Sequence, residues 1–168
     1  MANLVEKSKN LEDLMKNIKE KNKKQVETSV AKANKAPRNI ALPVNGTIYT
    51  KFGDKDDIGA KSKGLTLATI SSARVTTPLS GTVKFAGPFK HYKQILIIEH
   101  DDGYHSLIAG LSEIDTVVGA QLSAGEPVGV SNNSAESKIY YELRKNGEPI
   151  NPQKLLLAQA KQENIKHD

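Results

Sequence analysis

The fold class that this 168-residue sequence predicts is mainly β, an antiparallel sandwich or barrel preceded by an amphipathic helix. Residues 3–35 contain no glycine or proline and are rich in Lys, Glu, Leu and Ala, which favour helix. From Ile40 onward, short β-prone segments alternate with Gly, Pro, Asn and Asp turns, as in closely connected antiparallel strands. We therefore divide the chain into a helical segment with a linker (1–39), a β domain (40–156) and a polar tail (157–168).

The N-terminal segment is predicted to be a coiled-coil remnant or a regulatory helix. Leu4, Leu11 and Ile18 recur every seven residues and form an apolar stripe, which Lys7 and Lys21 interrupt. A single helix of this length is marginal in water, so the stripe is expected to be buried. A second copy of the helix, an upstream partner and the groove of the β domain are the three places available to it.

Eight strands are predicted from the alternation of β-prone and turn residues. They are Thr47–Lys51, Gly64–Ala68, Arg74–Thr76, Gly81–Ala86, Gln94–His100, Tyr104–Ala109, Pro127–Val130 and Lys138–Arg144. Asp-Gly in "HDDGYH" (His100–His105) and Asn-Gly in "KNGEP" (Lys145–Pro149) predict tight hairpin turns. Because neighbours on a strand point to opposite faces, one of Tyr140 and Tyr141 is expected in the core and the other on the outer face.

Composition excludes several classes of function. The net charge of +5 comes entirely from residues 1–39, which hold ten Lys/Arg and five Asp/Glu, whereas residues 40–168 hold fourteen of each. No aromatic residue lies among these lysines to stack on bases, so a nucleic acid partner is not expected. The absence of cysteine excludes disulfides and thiolate zinc sites. No apolar stretch approaches the roughly 20 residues that span a bilayer.

The histidines form no recognisable catalytic or metal-binding motif. They are His91, His100, His105 and His167, and no two have H-x-H or H-x-x-x-H spacing. His100 and His105 flank a hairpin and could hold a metal with Asp101 and Asp102, although charges near a turn are more often simply solvated. Nucleotide-binding glycine motifs and a G-x-S-x-G nucleophile motif are also absent.

Six stretches in a fixed order carry the strongest signal in the sequence. They are "LPVNGTIYTKFG" (Leu42–Gly53), "SKGLTLAT" (Ser62–Thr69), "VTTPLSGTVKFAG" (Val75–Gly87), "ILIIEHDDGYHSLIAGL" (Ile95–Leu111), "VGAQLSAGEPVGV" (Val118–Val130) and "SKIYYELRKNGEPINP" (Ser137–Pro152). This series resembles the LytM, or lysostaphin-type, zinc metallopeptidase domain. The resemblance covers residues 42–156 and implies a LytM-like antiparallel β-sandwich or barrel.

The same resemblance implies a zinc site whose residues this sequence has replaced. The three ligand positions of the family hold Ser62, Thr66 and Tyr140, and its two catalytic histidine positions hold Gly110 and Lys138. Hydroxyls and a neutral phenol are poor zinc ligands, and a lysine repels the cation. We therefore expect no metal, no cofactor and no peptidase activity.

Without the metal, the groove of such a domain is expected to remain as a binding surface. Tyr and Arg side chains commonly anchor protein interfaces. By the motif, Tyr140 rather than Tyr141 faces the groove. The residues expected to line it are Lys63, Tyr92, Lys138, Tyr140 and Arg144.

A helical segment followed by a metal-free LytM domain resembles the EnvC-type murein hydrolase activators. This resemblance implies that the groove activates a periplasmic zinc-dependent N-acetylmuramoyl-L-alanine amidase for septal peptidoglycan cleavage in cell division. Peptidoglycan and upstream division proteins are further expected partners. The sequence begins without a signal peptide, so it is expected to be a fragment of a longer periplasmic protein.

Other interpretations stay open at this point. The domain could bind or organise peptidoglycan without catalytic activity, or it could be an unusual hydrolase that uses His100 or His105. The helix over residues 3–35 could mediate self-association, or it could partly occlude the groove.

Overall fold

The computed structural model describes Leu14, residues 40–55 and residues 59–155. Within these residues the strands are β1 (Gly46–Thr50), β2 (Leu65–Thr69), β3 (Arg74–Thr76), β4 (Gly81–Pro88), β5 (Gln94–Glu99), β6 (Tyr104–Ile114), β7 (Gln121–Leu122), β8 (Pro127–Ser131), β9 (Lys138–Lys145) and β10 (Glu148–Ile150). Short 3-10 turns occur at Lys90–Tyr92 and Asp101–Gly103. The described residues include no helix long and apolar enough to cross a bilayer.

The predictions for the two ends of the chain fall mostly outside the described residues. Of the predicted helix over residues 3–35, the structure describes Leu14, which is helical and buried. Residues 152–155 are helical, and the predicted tail over residues 157–168 lies outside the described part.

The main sheet is antiparallel and has the order β1-β2-β9-β6-β5-β4-β7, with β10 pairing beside β2 on the far part of β9. The predicted mainly β, antiparallel fold is confirmed, and each of the eight predicted strands has a counterpart in the structure. The sequence pattern does not predict β7 and β10, because they have two and three residues and show too little alternation to detect.

Strand β6 connects the main sheet to a second layer. Its first part pairs with β5 and β9, whereas Leu111–Ile114 pairs with β8, which in turn pairs with β3. The register shifts between Leu111 and Glu113, and such an irregularity bends a strand. The bend lets one strand contribute to both layers and enclose the main core between them.

The two predicted hairpin turns are present. Asp102 and Gly103 have φ of 60° and 81° between β5 and β6, and Asn146 and Gly147 have φ of 52° and 87° between β9 and β10. Tight hairpins need positive φ at these positions, which Asn, Asp and Gly accept at low cost.

Strand β9 is covered on both faces, and its side chains alternate between them. Ile139, Tyr141 and Leu143 are completely buried in the main core. The opposite, outer face carries Lys138, Tyr140, Glu142 and Arg144. The prediction that the two adjacent tyrosines separate, with Tyr141 in the core, is confirmed.

A buried chain of hydrogen bonds begins at Tyr141. Its hydroxyl lies 3.3 Å from Oγ of Ser106, which lies 2.7 Å from Nε2 of His100. Nδ1 of His100 lies 2.6 Å from the carbonyl oxygen of Ser80. Because a carbonyl can only accept, Nδ1 carries the proton, and Nε2 accepts from Ser106. Burial lowers the pKa of His100 to about 4, against the opposing effect of the Ser80 carbonyl, so the imidazole is neutral here.

Candidate functional site

The centre of the outer face is the place where β9 lies between β2 and β6. Tyr140 is the register partner of Thr66 on β2 and of Ala109 on β6, and Lys138 is the partner of Ala68. A groove of about 260 Å³ opens above this point. Its lining consists of Thr66, Tyr92, Lys93, Ala109, Gly110, Asn132, Glu136, Lys138 and Tyr140.

A larger concavity of about 420 Å³ lies elsewhere, among residues 42–46, Arg74 and Thr76. Its one ionisable lining residue is Arg74, and the rest of the lining comes mostly from a single stretch of chain. We regard the smaller groove as the candidate site, because aromatic, amide and charged side chains from four separate parts of the chain meet there.

The floor of the groove rests on a hydrogen-bonded triad along β9. The Tyr140 hydroxyl donates to Oε2 of Glu142 at 2.6 Å, and Nε of Arg144 donates to Oε1 of Glu142 at 2.7 Å. Nη1 of Arg144 donates to the carbonyl oxygen of Gly147 at 3.0 Å. Glu142 and Arg144 are 2% and 1% exposed, so this ion pair is shielded from solvent.

The rim of the groove is charged and aromatic. The Lys138 ammonium lies 3.8 Å from the centre of the Tyr49 ring, which is 51% exposed. At this distance a cation over an aromatic face is attracted to it. Lys93 and Glu136 add one further charge of each sign to the lining.

An apolar strip continues the groove across the outer face. Its fully buried members include Phe89, Ile95, Ile97 and Leu107, and Tyr92 and Tyr140 pack against them from the groove side. Leu14 belongs to the same cluster and is also 0% exposed. A residue of the N-terminal segment therefore covers the apolar surface next to the groove.

Comparison with known proteins identifies the family. The sequence profile of peptidase family M23 matches residues 60–152, more than half of the chain. The chain belongs to peptidase family M23. The predicted LytM-type resemblance is thereby confirmed.

Relatives of this M23 chain include murein hydrolase activators. EnvC of Escherichia coli is 30% identical over 122 residues, which cover 70% of this chain and 29% of EnvC. NlpD of Escherichia coli is 24% identical over 117 residues, which cover 68% of this chain and 30% of NlpD. The chain thus spans less than a third of the length of either activator. The solution structure of lysostaphin, 17% identical, has a TM-score of 0.63 over 74% of this chain and 56% of that chain, which shows the shared fold.

Four of the five positions assigned to the zinc and catalytic residues of the M23 family meet in the groove. Thr66, Gly110, Lys138 and Tyr140 all line it. Ser62 is buried outside the lining, where its hydroxyl donates to the carbonyl oxygen of Gly64 at 2.7 Å. The motif assignments therefore converge in space, although one of them is turned away from the site.

The side chains present do not fit a zinc ion. Burial and the neighbouring Glu142 raise the pKa of Tyr140 far above its usual range, so the phenol is neutral. Its hydroxyl donates a hydrogen bond to Glu142. Thr66 offers a hydroxyl, and the Lys138 ammonium lines the same groove. The described residues contain no group of three or more His, Asp or Glu side chains placed to hold a metal.

Gly110 could not simply be replaced by the histidine that the motif assigns to this position. Its φ is 97°, and a Cβ atom on this backbone would lie 2.7 Å from the carbonyl oxygen of Lys138. That distance is shorter than real Cβ contacts, and positive φ is itself unfavourable for a histidine. The backbone at this position therefore suits glycine and disfavours any larger side chain.

The predicted groove residues are only partly brought together. Tyr92, Lys138 and Tyr140 line the groove. Lys63 is exposed but lies outside the lining. The prediction that Arg144 lines the groove is wrong, because its guanidinium is buried beneath the floor with Glu142.

Several groove residues escaped the sequence-based prediction. Lys93, Asn132 and Glu136 lie in connections before β5 and β9, where no periodic pattern indicates which way a side chain points. Tyr49 lies outside the lining but contacts Lys138, and its outward orientation was predictable because it is next to the core-packed Ile48 on the first predicted strand.

The two hairpin histidines do not form a joint site. The imidazole of His100 contacts Ser106 on the core side of β6, so the preceding residue, His105, points to the opposite face. Nε2 of His105 lies 3.7 Å from Oε2 of Glu99, and it has no hydrogen-bond partner within the described part of the chain.

Proposed function

We propose that this M23 domain is a non-enzymatic murein hydrolase activator that binds a zinc-dependent N-acetylmuramoyl-L-alanine amidase through the groove. Binding would stimulate septal peptidoglycan cleavage during cell division, which implies a periplasmic location. The observation that carries the proposal is a groove whose floor, at the position that the motif assigns to a metal ligand, is formed by a neutral, hydrogen-bonded phenol. Similarity to EnvC and NlpD, both named murein hydrolase activators, supports it.

The chemistry of the groove suits a segment of folded protein. Tyr92 and Tyr140 provide apolar area with few rotatable bonds, which is typical of interface anchors. Lys93, Glu136 and Lys138 at the rim would set the orientation of the partner. A volume of about 260 Å³ accommodates a few side chains of a docked segment.

The test is dye release from purified, dye-labelled sacculi. We expect this chain to release no dye by itself and to stimulate release by the amidase of the same genome. Tyr140→Ala should raise the concentration needed for half-maximal stimulation by about 30-fold, the effect of losing about 2 kcal/mol at an interface anchor. Val118→Ala, at an exposed site outside the lining, is the matched control.

Other outcomes of this experiment would favour the other candidate functions. Sedimentation of the chain with sacculi, without stimulation of the amidase, would indicate a peptidoglycan-binding or scaffolding domain. Chelator-sensitive dye release without amidase would indicate a hydrolase and contradict the proposal.

We also propose that the segment around Leu14 regulates the groove. Leu14 is buried in the apolar strip that Tyr92 and Tyr140 flank, so a partner that uses this strip would have to displace it. Leu14→Asp in the full chain should weaken this cover and lower the dissociation constant for the amidase. Unchanged or weaker amidase binding would contradict the proposal. A concentration-dependent mass that disappears in Leu14→Asp would instead assign this residue to self-association.

A further inference from the structure

The buried position of Arg144 raises the question of how it could influence the groove. Arg144, Glu142 and Tyr140 are alternate residues on one face of β9. A continuous series of hydrogen bonds runs from the Gly147 carbonyl through Arg144 and Glu142 to the hydroxyl of Tyr140. These hydrogen bonds connect the turn between β9 and β10 to Tyr140 at the floor of the groove.

Each group in this series restricts the next one. The carboxylate of Glu142 is 2% exposed, and it accepts the phenol on one oxygen and the guanidinium on the other. Removing either donor would leave a buried carboxylate oxygen without that hydrogen bond, which is unfavourable. The phenol therefore has one strongly preferred orientation, with its hydroxyl directed along the strand toward Glu142.

We propose that Glu142 and Arg144 are positioning residues that hold the Tyr140 ring as a rigid floor, so that a bound partner contacts the ring and not the hydroxyl. This inference rests on the proposed function of the groove and adds a specificity element to it. The occupant of the floor is then an apolar side chain of the amidase, because the polar atom of Tyr140 already donates its hydrogen bond to Glu142.

The experiment is a double-mutant cycle with Tyr140→Phe, Glu142→Gln and the double variant. Tyr140→Phe keeps the ring and removes the hydroxyl, whereas Glu142→Gln keeps the volume and removes the charge. Each single change should raise the dissociation constant for the amidase about tenfold, or about 1.4 kcal/mol. Because both changes disrupt the same Tyr140–Glu142 hydrogen bond, the double variant should also bind about tenfold more weakly. A loss of about a hundredfold would mean independent effects and would overturn the inference.

Arg144→Lys is the second variant, because lysine keeps the charge but lacks the planar fork that places Nε on Glu142 and Nη1 on Gly147. It should weaken amidase binding several-fold. Lys145→Arg is the matched control on the same strand, and it should leave the dissociation constant within twofold. An unchanged dissociation constant in Arg144→Lys would contradict a positioning role for Arg144.

The same cycle measured by urea unfolding, without amidase, separates the two proposals. The effects of Tyr140→Phe and Glu142→Gln on the free energy of unfolding should also be non-additive. Additive effects on the free energy of unfolding would contradict the inference that Glu142 positions Tyr140, regardless of the result with the amidase. If the effects on the free energy of unfolding are non-additive but the unaltered chain does not bind the amidase, the proposed function is contradicted. The role of the Tyr140 ring in amidase binding is then contradicted too.

Discussion

Tyr140 and Tyr141 are consecutive residues on β9 that belong to two different environments. The Tyr141 hydroxyl lies in the main core and ends a neutral series through Ser106 to His100. The Tyr140 hydroxyl donates to Glu142, which in turn forms an ion pair with Arg144. Both phenols have hydrogen-bond partners, but one set is neutral and deep in the core and the other is charged and next to the site.

This difference indicates that the two faces of one strand carry separate tasks. The core face uses neutral partners, which carry no penalty for burying a charge. The groove face holds an ion pair, which contributes little net stability but fixes geometry. We therefore expect changes on the core face to alter stability alone, and changes on the groove face to alter partner binding as well as stability.

The largest expected effect is the contrast between Tyr141→Ala and Tyr140→Ala. Tyr141 is completely buried, so its truncation should lower the free energy of unfolding by about 4 kcal/mol, measured by urea titration with circular dichroism. Tyr140→Ala should cost roughly half as much in stability, since this ring borders the groove. Equal losses in the two variants would contradict the division of tasks.

Part of the acid sensitivity should come from His100 on the core face. The pKa of His100 is about 4 in the folded chain, below the ordinary value of 6.5, so the unfolded chain takes up the proton first. Its contribution to stability is complete above pH 6.5 and is lost as the pH falls toward 4. The loss should amount to about 3 kcal/mol. The measurement is the free energy of unfolding at several pH values, and a His100→Asn variant with the same pH dependence would refute the assignment.

Gly110 and Gly119 form a matched pair that tests how closely β6 approaches the groove face of β9. Both have positive φ, 97° and 94°, but a Cβ atom at Gly110 would lie 2.7 Å from the Lys138 carbonyl oxygen, whereas Gly119 has open space. Gly119→Ala should cost about 1 kcal/mol of stability through φ, and Gly110→Ala about 2 kcal/mol or more, because the clash adds to it. Similar midpoints of thermal unfolding for the two variants would show that the backbone of β6 shifts at little cost to relieve the clash.

The smallest expected effect on stability concerns the rim. Lys138→Gln removes the cation over the Tyr49 ring and should change the free energy of unfolding by about 0.5 kcal/mol. Lys145→Gln removes the comparable contact with Tyr104, 4.9 Å from the ring centre and outside the groove lining. If the rim orients the partner, stimulation of the amidase should fall with Lys138→Gln and stay unchanged with Lys145→Gln.

Local chemistry made much of this molecule predictable. The turn dipeptides and the alternation of apolar residues place seven of the eight predicted strands within two residues of their observed bounds, whereas β6 continues five residues beyond the predicted end at Ala109. Alternation also separates Tyr140 from Tyr141. The motifs also assign the five zinc and catalytic positions, because those positions stand at fixed distances from the glycines and apolar residues that form the strands, and this assignment stays a prediction.

Burial depth and long-range neighbours were not predictable in the same way. Alternation places Arg144 on the same face as Tyr140, but the sequence does not say that Glu142 holds it beneath the surface. Ser62 matches the motif, yet its hydroxyl bonds within its own loop. Asn132 and Glu136 reach the groove from a loop whose path depends on the strands at its two ends.

The sequence by itself determined the antiparallel β fold and the family, because these depend on residue type and spacing along the chain. The tertiary structure decided which of the motif positions share a groove, since strand register brings Thr66, Tyr140 and Ala109 side by side. It also decided where Leu14 is buried, because an apolar stripe specifies the need for cover but not the surface that provides it.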